Sequence, residues 1–186
     1  KQVALLFFIL STLSIFSSVS ANETKPLRIA VASNFTYALQ QLLPEFSEIT
    51  GIQVDVISGA SGSLFQQIKH GAPFDVFLSA DSIRPQNLEQ QQLIIEGSRH
   101  AYALGLLAFY SAHSFQNKPL NFQHFIDNIP SAKRIAIANP DIAPYGESAK
   151  QVFTNLSLWQ EINDKLILGI NVNQTFQQAQ SGAVDG

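Results

Sequence analysis

The stretch L-R-I-A-V-A-S-N-F-T-Y-A-L, residues 27–39, contains two kinds of regular structure in succession. Its first part, Leu27–Ala32, is a short apolar run with β-branched residues, which predicts a strand. Apolar residues then recur at 38, 39, 42, 43 and 46, the spacing of a helix over 37–48 that ends at Gly51. Because Pro44 falls inside this helix, we expect a kink or a break there.

The same alternation of strand and helix continues along the rest of the chain. Further strands are predicted at 54–57, 76–78, 135–138 and 166–170. Further helices are predicted at 64–70, 83–92, 147–156 and 175–180. Between them, the longer apolar stretch 101–110 can cross from one lobe to another. This order predicts an α/β fold with parallel sheets and helices on both faces.

The composition excludes several classes of protein. The 186 residues are 46% hydrophobic and 13% charged, so the chain can bury enough surface to fold. It contains no cysteine, which excludes a disulfide framework, a thiolate metal site and a thiol nucleophile. Eleven basic residues stand against fourteen acidic ones, without a basic run, so nucleic acid is not an expected partner.

The first 21 residues have the features of an export signal. Lys1 supplies a positive start, residues 3–10 are apolar, and small residues precede a cleavage site after Ala21. The apolar region is too short to span a bilayer, which takes about 20 residues. We therefore expect a cleavable signal peptide at 1–21 and a periplasmic location. The sequence begins with Lys1 and ends in a turn-like segment, 181–186, so we expect the natural protein to continue.

Four predicted strand-to-helix junctions carry small polar or glycine-containing loops. These junctions are 32–34, 59–63, 139–146 and 171–172, and none contains lysine or arginine. In parallel sheets such loops share one edge, where helix N-termini favour anions. The loops therefore predict a site that holds an anion with neutral donors. The alternative is that each Ser or Asn is only a helix N-cap.

A catalytic function is an alternative interpretation of the segment Gly59–Ser63. G-A-S-G-S nearly matches the nucleophile-elbow pattern G-x-S-x-G, with Ser61 as nucleophile, but its last residue is Ser63. A serine hydrolase would also need a positioned histidine, and no histidine lies in a strand-to-helix loop. No histidine pair has the spacing of a metal site.

The loop sequences resemble those of the periplasmic molybdate-binding proteins, the substrate-binding components of molybdate ABC transporters. The first matching stretches are A-V-A-S-N-F-T-Y-A-L (30–39), S-G-A-S-G-S-L-F-Q-Q-I (58–68) and G-A-P-F-D-V-F-L-S-A-D (71–81). Later ones are Y-A-L-G-L-L-A-F-Y (102–110), I-A-N-P-D-I-A-P-Y-G (137–146) and N-V (171–172). The resemblance covers most of the chain after the signal peptide, in order.

The resemblance implies a two-lobed, type II periplasmic binding protein that closes around an anion. Lobe 1 would run over 22–103 and lobe 2 over 104–186, with lobe 2 and the return crossover incomplete. The expected contacts to the anion's oxygens come from Ser33, Asn34, Ser61, Tyr145 and the Val172 backbone. No side chain would ligate the metal of the anion directly.

The function that the resemblance implies is capture rather than catalysis, without a cofactor. The ligand would be molybdate or tungstate, and the partners a membrane permease and its ATPase, with the binding protein as a monomer. A binding protein for another tetrahedral oxyanion, such as sulfate, has the same fold and remains an alternative. A serine hydrolase with Ser61 as its nucleophile is the third hypothesis for the function.

Overall fold

The computed structural model describes residues 25–111, 123, 126–127 and 129–185. The predicted signal peptide, 1–21, lies outside the described residues, and so do His113 and His124. In the described part of the chain, no helix has both the length and the apolar character needed to cross a membrane.

Two units of alternating strands and helices make up the described chain. The first unit comprises β1 (Leu27–Ala32), α1 (Thr36–Thr50), β2 (Val54–Gly59), α2 (Ser61–Lys69), β3 (Val76–Leu78) and α3 (Ile83–Gln90). The second comprises β4 (Ile135–Ala138), α4 (Pro144–Asn155), α5 (Trp159–Ile162), β5 (Leu166–Gly169) and α6 (Val172–Gln180). Short 3-10 helices lie at Ser33–Phe35, Ile129–Ser131 and Asn163–Lys165.

The first unit is built on a parallel sheet with β1 in the middle. The strand order is β2-β1-β3, and β1 pairs in register with β2 from Leu27–Val54 to Ala32–Gly59. The apolar side chains of β1 pack with Leu39 of α1 to form its core. Since all three strands are parallel, the loops that follow them emerge at one edge of the sheet.

The second unit repeats this arrangement on a smaller parallel sheet. Its strands β4 and β5 pair from Ile135–Leu166 to Ala138–Gly169. Its core consists of Ile129, Ile135, Ile137, Ala149, Phe153 and Ile162. The carboxyl ends of β4 and β5 therefore also lie at one edge, each followed by a helix that begins there.

The predicted strands agree with the structure, but three helices begin three residues earlier than predicted. The predicted starts were 64, 147 and 175, whereas α2, α4 and α6 begin at Ser61, Pro144 and Val172. These first turns consist of small or polar residues, and so they lack the apolar periodicity that marked the rest of each helix. The candidate site residues in them belong to helices rather than to loops.

Of the kink or break expected at Pro44, the break is wrong, because α1 continues from Thr36 to Thr50, and the kink stays a prediction. Proline removes one backbone donor, which leaves the Gln40 carbonyl without its helical partner. Both Pro44 and Gln40 are exposed, so water can bond that carbonyl instead.

The apolar stretch 101–110 connects the two units without regular secondary structure. Near its start, the Tyr102 hydroxyl donates to the Ser79 carbonyl of the first unit at 2.8 Å. Near its end, Phe109 packs against the core of the second unit. The segment thus has the course expected of a crossover, and the lobe boundary at 103/104 stays a prediction.

Candidate functional site

The loops at the strand ends of the two units meet each other. The backbone N–H of Gly62, in the first turn of α2, donates to the carbonyl of Ile142, just before α4, at 2.8 Å. Around this bond lies a small apolar cluster of Ala60, Ala138 and Ala143, packed against Ile142 and Val172. The two sheet edges that the sequence predicted to carry donors are therefore joined directly.

Three of the five predicted site residues line one cavity at this junction. Asn34, Tyr145 and Val172 belong to different elements, and they border a cavity of about 660 Å³ together with residues of 106–110, β4, α4 and α6. Asn34 lies in the 3-10 helix after β1, Tyr145 in the first turn of α4, and Val172 at the start of α6. The structure thus brings donors from both units to one space.

The donors of these three residues are free to bind a ligand. Among the described residues, the Asn34 side chain, the Tyr145 hydroxyl and the Val172 N–H have no hydrogen-bond partner. The N–H of Val172 is one of the first amides of a helix, which have no partner within that helix. Each of the three groups is therefore available to an acceptor in the cavity.

Ser33 and Ser61 are placed differently, because they are buried and do not border the cavity. Ser33 is 5% exposed and Ser61 is 0% exposed. The Ser61 Oγ accepts a hydrogen bond from the Ala80 N–H at 3.0 Å. Since a hydroxyl is both donor and acceptor, Ser61 keeps its proton for a second bond. Their predicted contacts with a ligand stay predictions.

The described residues assemble no serine–histidine pair at Ser61. His70 and His100 are the described histidines, and neither is hydrogen-bonded to Ser61. His70 lies past the other end of α2, where its ring Nδ1 is 2.7 Å from the Gln66 carbonyl. The catalytic reading of G-A-S-G-S thus has no general base in the described part of the chain.

The N-cap alternative holds for one of the four junctions. The Asn171 side chain accepts from the Gln174 N–H at 3.0 Å and so caps α6. At α2 and α4, the N-cap residues are Ala60 and Ala143, whose side chains have no oxygen to cap with. The polar residues in these two first turns are therefore not explained as caps.

The electrostatics of the cavity come from backbone dipoles rather than from charged side chains. Every residue that borders it is uncharged. Arg84 of α3, which follows the carboxyl end of β3, forms an ion pair with Asp81. The helices α4 and α6 begin at the cavity, and the positive ends of their dipoles favour an anion there.

The acidic and histidine side chains do not form a metal-binding group in the described part of the chain, and the absence of direct ligands to the metal of the anion stays a prediction. Across the described ranges, no group of three or more histidine, aspartate or glutamate side chains is arranged to hold a metal ion. The donors on the cavity wall are amide and hydroxyl groups, which suit the oxygens of an anion.

Tyr102 is a neighbour of the site that the sequence analysis missed. Its ring packs edge-on against Phe35, with centroids 5.0 Å apart, and its hydroxyl bonds Ser79. Partial burial raises the pKa of Tyr102, and the nearby Tyr145 phenol raises it further. The sequence pattern showed Tyr102 only as part of an apolar crossover, because its neighbours come from distant segments.

The raised pKa of Tyr102 predicts a loss of stability in alkali. In the unfolded chain its pKa returns to about 10, so between that pH and the folded pKa the unfolded state loses the proton first. The stabilisation is therefore complete below pH 10 and is lost as the pH rises through the folded pKa. Urea unfolding of the protein and of its Tyr102→Phe variant at pH 8 to 11 measures this effect.

We expect the Tyr102→Phe variant to be less stable than wild type by about 1 kcal/mol at pH 8, because it lacks the hydrogen bond of the Tyr102 hydroxyl. The difference should shrink above pH 10, and a constant difference would contradict the assignment.

Sequence comparison finds that the chain is similar to bacterial solute-binding proteins. Residues 27–186 match the family model of bacterial extracellular solute-binding proteins. The chain is 36% identical over 164 residues to the molybdate-binding protein ModA of Azotobacter vinelandii. This alignment covers 87% of this chain and 63% of that protein. It is 35% identical over 153 residues to ModA of Rhodobacter capsulatus, which covers 82% of this chain and 59% of that protein. The chain thus spans about three-fifths of the length of these curated relatives.

A solved structure gives the same result for the fold. The periplasmic molybdate-binding protein of Azotobacter vinelandii superimposes with a TM-score of 0.79 at 37% sequence identity. The alignment covers 86% of this chain and 68% of that one. This similarity confirms the predicted α/β fold of the type II periplasmic binding proteins.

Proposed function

The chain belongs to the bacterial extracellular solute-binding proteins, and on that premise we propose that it captures molybdate, and tungstate with it, for an ABC importer. The observation that carries the proposal is the uncharged cavity where Asn34, Tyr145 and Val172 converge from both units. Two relatives and the superimposed structure are named for molybdate binding, which supports the choice of this anion.

The proposed mechanism is capture of a tetrahedral dianion by neutral donors. The Asn34 amide, the Tyr145 hydroxyl and the Val172 N–H each donate to an oxygen of the anion. The resemblance adds Ser33 and Ser61 as two further donors, although both are buried and do not border the cavity, and the Ala80 N–H holds the Ser61 oxygen in place. A hydrogen bond to a charged group contributes about 1.5–3 kcal/mol. Five such bonds, less the entropy of ordering, support submicromolar binding.

The same donors determine which anions are accepted. A site made only of donors satisfies a fully ionised dianion such as molybdate, tungstate or sulfate. Hydrogen phosphate carries a proton, which would face donors without an acceptor. Sulfate must then be distinguished by size, because it is also a dianion but is smaller than molybdate.

The proposal places the protein in the periplasm, after removal of residues 1–21, as a monomer without catalytic activity or cofactor. A membrane permease and its ATPase would receive the anion. Support comes from the relatives, which are binding proteins, and from the solved structure, whose protein is periplasmic by name.

Single substitutions of the donors test the site. In the full-length protein, Asn34→Ala and Ser61→Ala should each weaken molybdate binding by about 1–3 kcal/mol, the cost of one hydrogen bond to a charge. This corresponds to roughly tenfold to a hundredfold in Kd, which titration calorimetry resolves. Asn155→Ala, an exposed amide at the far end of α4, is the matched control and should bind as wild type does. If both site variants bound as tightly as the control, the assignment of these donors would be wrong.

A further inference from the structure

Gly105, in the middle of the crossover 101–110, lies directly against the phenol of Tyr145. A Cβ at this position would overlap the Tyr145 hydroxyl and would stand 3.3 Å from Cζ and 3.7 Å from Cε2. These three atoms are the nearest heavy atoms to the added carbon, and all belong to the end of one side chain. The space that a side chain of residue 105 would occupy is therefore taken by the hydroxyl group.

The backbone at Gly105 does not require glycine. Its φ lies outside the left-handed region, so alanine can adopt the same conformation without strain. Gly105 is also exposed and lies outside both sheets. Neither chain conformation nor core packing thus accounts for a residue without a side chain at this position.

The overlap has a consequence for ligand binding. Tyr145 is in the first turn of α4, whose backbone is held by packing against β4, so the end of its ring is the part of that helix that can give way to a side chain at 105. A turn of the ring displaces its hydroxyl within the cavity that Tyr145 borders together with Asn34 and Val172. A hydrogen bond depends strongly on distance and angle, so a small displacement removes most of it.

We propose that Gly105 is a positioning residue for oxyanion binding. Because glycine has no side chain, the Tyr145 hydroxyl can occupy the space beside residue 105 and donate to the ligand from there. The inference rests on the proposed function, since it assigns that hydroxyl to the anion. It predicts that Gly105, which does not border the cavity, takes part in the site through Tyr145 and does not touch the ligand.

A double-mutant cycle tests the proposal in the full-length protein. Wild type, Gly105→Ala, Tyr145→Phe and the double variant are each titrated with sodium molybdate by calorimetry. Gly105→Ala and Tyr145→Phe should each raise Kd roughly tenfold, as expected when one hydrogen bond to a charge is lost. The double variant should bind no more weakly than Tyr145→Phe, because the overlapping oxygen is then absent and the remaining contact with Cζ, at 3.3 Å, needs only a small shift of the ring. Ala103→Val, which enlarges an exposed residue of the same segment, is the control and should leave Kd unchanged.

Two results of the binding titrations would overturn the proposal. Gly105→Ala could leave Kd unchanged, or it could weaken binding equally with and without the Tyr145 hydroxyl. Thermal unfolding of the same four proteins without ligand tests the contact separately, since Gly105→Ala should lower Tm less in the Tyr145→Phe background. If wild type binds no molybdate while this unfolding difference is present, the proposed function fails and the contact between Gly105 and Tyr145 stands. If the unfolding difference is absent, the positioning role fails whatever the ligand.

Discussion

Replacing Gly62 with alanine is expected to weaken molybdate binding by roughly tenfold to a hundredfold. A Cβ at Gly62 would stand 2.7 Å from the Ile142 carbonyl oxygen and 3.0 Å from its Cα. These are backbone atoms of the second unit, so the two units must move apart to admit the methyl group. Overpacking of this kind costs about 1–3 kcal/mol. Because it separates the two units, it also separates the donors that each unit supplies to the site.

The effect of Gly62→Ala should appear in binding more than in folding. Alanine suits the first turn of α2 better than glycine does, and so the helix itself loses nothing. Titration with molybdate is compared with Gln67→Ala, an exposed substitution on the same helix that should bind as wild type does. Wild-type affinity in Gly62→Ala would show that the contact with Ile142 does not control the site.

Replacing Gly146 with alanine should lower the free energy of unfolding by about 3 kcal/mol. Gly146 lies in the first turn of α4, where a Cβ would overlap the carbonyl oxygen of Ala138 at the end of β4. The next nearest atoms, the carbonyl carbons of Ala138 and Asn139, are also backbone, and Gly146 is buried between the helix and the strand. No side chain can turn aside to relieve the overlap, in contrast to the case of Gly105.

Urea unfolding measures the effect of Gly146→Ala, with Glu147→Ala as the control. Glu147 is the next residue, is exposed and makes no ion pair among the described residues. The control should stay within about 0.5 kcal/mol of wild type, as surface substitutions usually do. A Gly146→Ala protein as stable as this control would mean that α4 does not approach β4 as closely as described.

The strands and their parallel order were predictable from the sequence. Leu27–Ala32, Val76–Leu78 and Ile135–Ala138 are short apolar runs, and the structure gives them the predicted bounds. Each is bounded by residues that interrupt an apolar run, and this makes the ends of a buried strand visible. Because a helix follows each strand, the alternation also predicted the common edge at which the donors meet.

The helix starts at the site were not predictable by the same means. The first turns of α2, α4 and α6 begin S-G-S, P-Y-G and V-N-Q, which resemble loops in composition. Their glycines are required by close contacts with the other unit or with β4, and not by a turn. Such contacts join segments far apart in sequence, so no local pattern reports them.

The candidate site was predicted in part. The resemblance selected five residues, and the structure places Asn34, Tyr145 and Val172 on one cavity and Ser33 and Ser61 in buried positions. Burial of a hydroxyl depends on tertiary packing, here on Ala80 after β3, which bonds Ser61. Tyr102 and Gly105 were missed for the same reason, since their roles depend on Ser79, Phe35 and Tyr145.

Thermal unfolding of the full-length protein with different anions tests the central claim most directly. The protein is heated with millimolar molybdate, tungstate, sulfate or phosphate in turn. A ligand at a thousand times its Kd adds about 4 kcal/mol, which raises Tm by several degrees or more. The account predicts a large shift with molybdate and tungstate and little shift with sulfate or phosphate. A shift with sulfate alone would assign the site to another oxyanion, and no shift with any of the four would contradict the claim that these donors bind an anion.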